Sequence, residues 1–468
     1  VSLTPPLRSL RAAFWAASVV AAAATLPFWL CPVVPTQDGP AHLYNAWLVL
    51  HLDDPGLDAR RFFALDPFVP NWGGVGPLAA LLAVAPPAVA EKALFSVMGF
   101  LMVLGAAFLV ARLGGDAVLG AAAGTVLAHG WLTAMGFTGF QLATGLGWIT
   151  VAAAVRRLDG GSRSGDAVVV ALLGVAFVVL FFLHLAAALA TAGLWVVILV
   201  ARGGRDRGRR LVAFATPLGV LGGLWATHAV LTRANEMPAY RADARGALGR
   251  LIELPTGTFW ESYSPADRPL GTALVVLVVG MLALRAAAAA RPAPGRGARA
   301  LLLAALAVLV AYLFVPFAAG GGAYLTDRLV PLLVLLPLPW ATAAGLPWRR
   351  ALRVTALVLA AAALAQRTVQ YRAGGRAVES VVTLNRGVAR GVPIVQPPSP
   401  GLPFASVDPF LHVWGRVAVE SEAMPLDDYE AALAGWFPVR YTPFGQAQAE
   451  AWKRNGVVPR GAAVVRFE

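Results

Sequence analysis

The feature that most constrains this chain is a series of apolar stretches long enough to cross a bilayer, some holding long runs without charge, such as Ala273 to Ala283 and Ala300 to Ala311. A helix rises about 1.5 Å per residue, so roughly 20 apolar residues cross the ~30 Å of hydrocarbon. Eleven stretches meet or approach that length: residues 12–32, 92–111, 116–132, 137–155, 166–183, 185–201, 211–231, 270–289, 300–318, 329–346 and 351–366. Inside lipid the backbone must satisfy its own hydrogen bonds, which runs of this length do as helices. The expected fold is therefore an all-α polytopic membrane protein with about 11 transmembrane helices. Charged residues make up only 13% of the 468, against about 25% in soluble chains, which excludes a soluble globular enzyme. The lone cysteine, Cys31, excludes an internal disulfide framework.

The net charge of +13 resembles a nucleic-acid signature until the basic residues are located; apart from Lys92 and Lys453 they are all arginine. Short loops rich in Arg stay in the cytoplasm. With the N-terminus inside, Arg8 and Arg11 precede the first span. The later inside junctions hold Arg112, then Arg156, Arg157 and Arg163, then Arg202, Arg205, Arg207, Arg209 and Arg210. Arg285, Arg291, Arg296 and Arg299 follow, and finally Arg349, Arg350 and Arg353. Every short Arg-rich loop falls on one side, so the charge reads as a topology signal and nucleic acid is not an expected partner. Counting Trp72 to Ala90 as a full span would invert this pattern. Gly73, Gly74, Gly76, Pro77, Pro86 and Pro87 interrupt that segment, which is expected as a half-length helix at the outer leaflet. The first span is too long for a cleavable signal peptide, lacks a small-residue cleavage site, and has Phe28, Trp29 and Leu30 before Cys31, a poor lipoprotein site.

This divides the chain into a transmembrane unit, residues 1–366, with outer loops at 32–91 and 232–269, and an outer-face tail at 367–468 of a size to form a small domain. The tail carries Pro-rich punctuation from Pro393 to Pro403 and an acidic patch of Asp427, Asp428 and Glu430 beside Trp436. Ala286 to Ala290 and Gly320 to Gly322 read as linkers. There is no internal repeat, no phosphate loop of P-loop type and no Cys or His cluster with metal spacing.

The few polar residues at the outer ends of spans are the candidates for chemistry. Asp38 precedes Gly39 and Pro40 at the start of a new helix, since Pro suits a first turn. It reads either as a carboxylate stabilised by the helix dipole or as a base offered to an acceptor. His42, one turn on, is placed to orient it, bind a diphosphate or share a cation. Arg328 stands at the mouth of a span four residues after Tyr324. Its two readings are a local pair with Asp327 or snorkelling, and an anion contact, because ionisable residues near lipid default to function. His184 lies between two apolar spans, as an interfacial histidine or a diphosphate contact. Gln141 is expected to bond between helices, and His129 and His228 carry no role. In the second loop Glu236, Asp243, Glu253, Glu261 and Asp267 alternate with Arg233, Arg241, Arg245, Arg250 and Arg268, which reads as a solvated, salt-bridged surface or, for one of the acids, as a metal or acceptor contact closing over the site.

The order of a span, Asp38, an amphipathic loop, the half-helix after Asn71, Trp72 and Gly73, and then Glu91 and Lys92 resembles the GT-C superfamily over residues 1 to about 370. These are multi-span glycosyltransferases using polyprenyl-phosphate-linked sugars, among them protein O-mannosyltransferases and aminoarabinose transferases. The chain is most similar to uncharacterised bacterial members. The resemblance implies transfer of a sugar to an acceptor at the outer face of the cytoplasmic membrane, with the tail outside. It makes Asp38 the catalytic base or a contact to a divalent cation, Mg or Mn. It also matches Tyr324 and Arg328 to an element that contacts the lipid-linked phosphate, with His42 and His184 as further substrate contacts. The family's Asp-Glu pair is here Asp38 followed by Gly39, which leaves the partner acid unassigned. The rival readings are a transporter or flippase of a lipid-linked or anionic substrate, a non-catalytic envelope assembly protein, and a polysaccharide polymerase or ligase.

Overall fold

A computed structural model describes residues 7–159, 163–202, 207–231, 245–287, 296–318, 323–343, 348–401, 406–433, 435–456, 458–459 and 461–467. The readings placed on Arg205, Arg233, Glu236, Arg241, Asp243, Ala288 to Ala290, Arg291 and Gly320 to Gly322 lie outside the described residues. The chain is mostly α-helix. Six helices are long and apolar enough to cross a membrane: Pro87–Arg112, Ala117–Met135, Thr138–Val155, Pro265–Ala287, Gly297–Phe314 and Arg349–Leu384. Shorter apolar helices cover Ala13–Trp29, Ala167–Leu183, Leu185–Val200 and Ala215–Leu231. This is a multi-pass membrane architecture.

Each expected span but one coincides with one of these helices. Over 329–346 the chain instead forms two short helices, Val330–Leu335 and Leu338–Ala341, after a single 3-10 turn at Asp327–Leu329. Pro337 and Pro339 explain the difference: proline lacks the N–H a continuous helix needs and its ring clashes with the preceding turn, whereas Pro331 sits in a first turn, where proline is tolerated. The segment is buried in the bundle, with Leu335, Leu336 and Ala341 at 1% exposure or less, where broken backbone is tolerated. The half-helix is present as Gly76–Leu82, opened by a proline. The last span continues well past residue 366, as a helix of 36 residues. At 1.5 Å per residue it is about 54 Å long, so its C-terminal part stands clear of the hydrocarbon.

Small residues set the bundle's packing. Helix Pro87–Arg112 crosses Thr138–Asp159 so closely that a Cβ on Gly105 would lie 2.5 Å from the Gly145 carbonyl oxygen. Such approach is how helices associate in lipid, where no hydrophobic force drives them together. At one end of the bundle Asp116 caps its helix through the Val118 and Leu119 amides and pairs with Arg349 at 2.5 Å and Arg353 at 2.7 Å. At the other end the first outer loop, the second outer loop and the tail meet.

There the tail and first loop share one hydrophobic core that includes Tyr44, Phe63, Phe95, Tyr371, Val395 and Trp414. Strand Phe63–Leu65 pairs antiparallel with Val439–Tyr441, and Phe63 stacks on its partner Tyr441. A second small sheet runs Met424–Pro425, Pro393–Val395, Ala463–Val464, all parallel. Tail helix Trp414–Ser421 lies on loop helix Gly39–His51, and Arg416 pairs with Glu91 at 2.5 Å, both at most 3% exposed. The second loop departs from a solvated surface. Asp267 is buried and pairs with Arg367 at 2.8 Å, Arg250 is buried against the Tyr312 and Val315 carbonyls, and Glu261 is buried against Arg268. Arg245 and Glu253 pair within the loop at 2.6 Å, both part-exposed, as expected, whereas Asp267 and Arg250 reach partners on neighbouring helices, which alternation alone does not reveal.

Candidate active site

Asp38 is positioned by backbone. The amides of Gln37 and Asp38 donate to the carbonyls of Ala134 and Met135 at 3.0 and 2.9 Å, which pins the loop to the end of helix Trp131–Met135. Gly136 makes this possible. Its φ of +88° suits glycine, and a Cβ there would lie 2.7 Å from the Gly39 nitrogen. Pro40 opens helix Gly39–His51 as expected, yet the Asp38 side chain makes no capping bond. The carboxylate is therefore not spent on the helix start. It is 8% exposed, accepts from Gln37 Nε2 at 3.4 Å and lies 3.6 Å from His412 Nε2.

Around it the tail supplies groups that the sequence left without a role. Glu430 and Asp428, read as an acidic patch, are fully buried. Glu430 Oε1 lies 2.5 Å from His42 Nδ1, a charge contact off the hydrogen-bonding direction, and accepts from Tyr429 Oη at 3.1 Å. Its Oε2 accepts from Asn45 Nδ2 at 2.7 Å. His412 stacks on Tyr429 with ring centres 4.6 Å apart. Burial pushes the Asp38 carboxyl up to about 7, against the charge of His42. Burial opposes charge on His42 as well, but Glu430, and then Asp38, hold it up at about 9. Burial takes His412 down to about 3, so it is a neutral imidazole. The result is a buried carboxyl poised near neutrality beside a fixed imidazolium.

Arg328 forms the second half of the site. Its Nη1 donates to His184 Nε2 at 2.7 Å, and its guanidinium lies 4.7 Å from the Phe137 ring centre and 5.3 Å from that of Phe140. A guanidinium has only donors, so His184 accepts through Nε2 and carries its proton on Nδ1, which is buried without a partner, as is Arg328 Nε. Burial lowers Arg328 to about 10, and Asp38 is the largest charge acting in the other direction. The charge of His42 likewise reaches His184. Arg328 also lines a small crevice of about 10 Å³ together with Phe140, Thr144, Trp148, Thr191, Leu194 and Leu332.

Asp38, His42, Arg328 and His184 thus fall in one electrostatically connected cluster. Tyr324 stands beside it, with φ +57° and its ring against Trp131, Phe137 and Phe317. Gln141 bonds between helices, accepting from Thr133 at 3.0 Å, and His129 is tied to the Ala24 carbonyl at 2.7 Å. Among the described residues no three His, Cys, Asp or Glu side chains stand at metal-binding spacing, and His42 is committed to Glu430.

No protein-family model and no curated protein matches the chain. Among solved structures it is similar to the arabinofuranosyltransferase AftD from Mycobacteria, at 19% identity over 89% of this chain and 32% of that one, with a TM-score of 0.48. A mutant form of AftD matches at 18% identity over 85% and 32%, with a TM-score of 0.46. The chain spans about a third of the length of the enzyme it matches.

Proposed function

We propose that this protein is a membrane glycosyltransferase that moves a sugar from a polyprenyl-phosphate donor to an acceptor at the outer face of the membrane. The observation that carries this reading is Arg328. It is a charged guanidinium between two phenyl rings and a neutral imidazole, in the wall of a small apolar crevice and within electrostatic reach of Asp38. A lipid phosphate suits each of these features. The guanidinium binds two phosphate oxygens at once, His184 Nδ1–H is a further donor, and the isoprenoid chain starts against the apolar wall of Phe140, Trp148 and Leu194.

Asp38 then acts as base. It takes the proton of the acceptor hydroxyl as that oxygen bonds to the anomeric carbon. The bond from that carbon to the phosphate oxygen breaks, and the polyprenyl phosphate leaves with the electron pair, its charge met by Arg328. Direct displacement inverts the anomeric centre.

The protonation states set the pH dependence. Asp38 must be ionised, so the rate rises as pH passes about 7, and His42 must stay charged, so it falls again above about 9. Both limbs belong to the coupled network rather than to single residues. The test is release of undecaprenyl phosphate from a panel of undecaprenyl-phosphate-linked pentoses and hexoses by the protein in nanodiscs, followed across this range. A bell with those limbs supports the reading. Release from none of the panel, or a rate independent of pH through neutrality, contradicts it.

A further inference from the structure

We infer that Glu430, on the C-terminal tail, is a positioning residue for Asp38 and acts through His42, making the tail an integral part of the active site. The kinetic side of this inference rests on the transferase reading; its structural side does not.

Glu430 is held by three groups, His42, Asn45 and Tyr429, and is shut off from solvent. A buried carboxylate persists only when paired and hydrogen-bonded, and the cation it faces is His42. His42 is also within electrostatic reach of Asp38, so the imidazolium answers to two carboxyl groups, one from the first outer loop and one from the tail, and the Gly136 carbonyl accepts a further bond from its ring. The remaining charged or titratable groups around the pair are Asp428, Tyr429 and His412 on the tail, Arg328 on the broken segment and His184 between its two spans. None of these replaces Glu430. His412 is neutral, Arg328 is turned to His184, and Asp428 is itself raised to about 7, by burial and then by Glu430. Removing the charge of Glu430 therefore leaves His42 with the charge of Asp38 alone. His42 loses its proton; Asp38 then loses both the attraction of His42 and the smaller repulsion of Glu430, and because the first is the larger it gains a proton. Glu430 touches no reacting atom; it sets the state of the base from one residue away.

The protein has six histidines, few enough to follow each ring by NMR with 13C- and 15N-labelled histidine, His42 being assigned by its loss in His42→Gln. In the unaltered protein the His42 ring stays charged through neutrality and loses its proton near 9. In Glu430→Gln it becomes neutral below pH 7, and the acid limb of transfer moves up from about 7 by about one unit, a roughly fivefold lower rate at pH 7. Glu430→Asp restores the charge and recovers most of the rate. A His42 ring that is neutral at pH 7 in the unaltered protein overturns the inference, and so does a titration unchanged by Glu430→Gln. Should Glu430→Gln fail to fold, the unaltered protein's titration still decides. The two readings separate cleanly. A His42 titration that responds to Glu430 without turnover of any lipid-linked sugar keeps the network and removes the transferase. Turnover whose acid limb ignores Glu430→Gln keeps the transferase and removes the role of Glu430.

Discussion

Asp38→Asn lowers sugar transfer by about 10²- to 10⁴-fold, the range for loss of a general base, while the protein stays folded and inserted. The substitution keeps the shape of the side chain and removes only its charge. The loop is held by the backbone bonds of Gln37 and Asp38 to Ala134 and Met135, which do not involve the carboxylate, and His42 keeps its contact with Glu430. Because burial penalises the ionised form of Asp38, the variant loses no fold-stabilising charge. Release of undecaprenyl phosphate, read beside a melting curve and a size-exclusion profile, checks both halves. Full activity in purified Asp38→Asn protein removes Asp38 from the chemistry.

The largest effect on stability is expected at Arg416→Met. Arg416 and Glu91 are each at most 3% exposed and pair at 2.5 Å, across the contact between the tail and the first residues of helix Pro87–Arg112. Removing one partner of a buried pair leaves an uncompensated charge, at a cost of about 3–5 kcal/mol. Replacing both partners by apolar groups is often neutral, so Glu91→Leu combined with Arg416→Met recovers most of the loss. Chemical unfolding in detergent measures the difference, and limited proteolysis locates it, with earlier cleavage between Leu384 and Trp414 in the single variant. Equal stability of the single variant and the unaltered protein contradicts the account.

Much of the transmembrane frame is legible in the sequence because a lipid-facing or bundle-facing helix must be apolar along its whole length. The segment over 329–346 is apolar too, yet Pro337 and Pro339 break it and the bundle encloses the broken backbone; hydropathy registers the burial and not the break. The candidate site is legible by halves. Asp38 and Arg328 stand out because charges are rare at the outer ends of spans. Glu430, Asp428, His412 and Arg416 do not, since in a mixed-polarity tail they look like ordinary surface residues. What brings them to the site is contact across the chain, such as the bond of Asn45 to Glu430 over 385 positions. The one local hint is the run Asp427, Asp428, Tyr429, Glu430, where acids sit beside aromatic residues able to bury them. Gly136 is equally silent, one of 48 glycines, and its role appears only when the Asp38 loop is seen lying against it.

The claim on which the rest depends is that Arg328 receives a lipid phosphate. Cryo-electron microscopy of the protein in nanodiscs with undecaprenyl phosphate tests it directly. The expected result is phosphate density on the Arg328 guanidinium and His184, with the chain starting against Phe140, Trp148 and Leu194, and loss of that density in Arg328→Gln. Phosphate bound elsewhere, or density at the crevice that survives Arg328→Gln unchanged, would contradict the account.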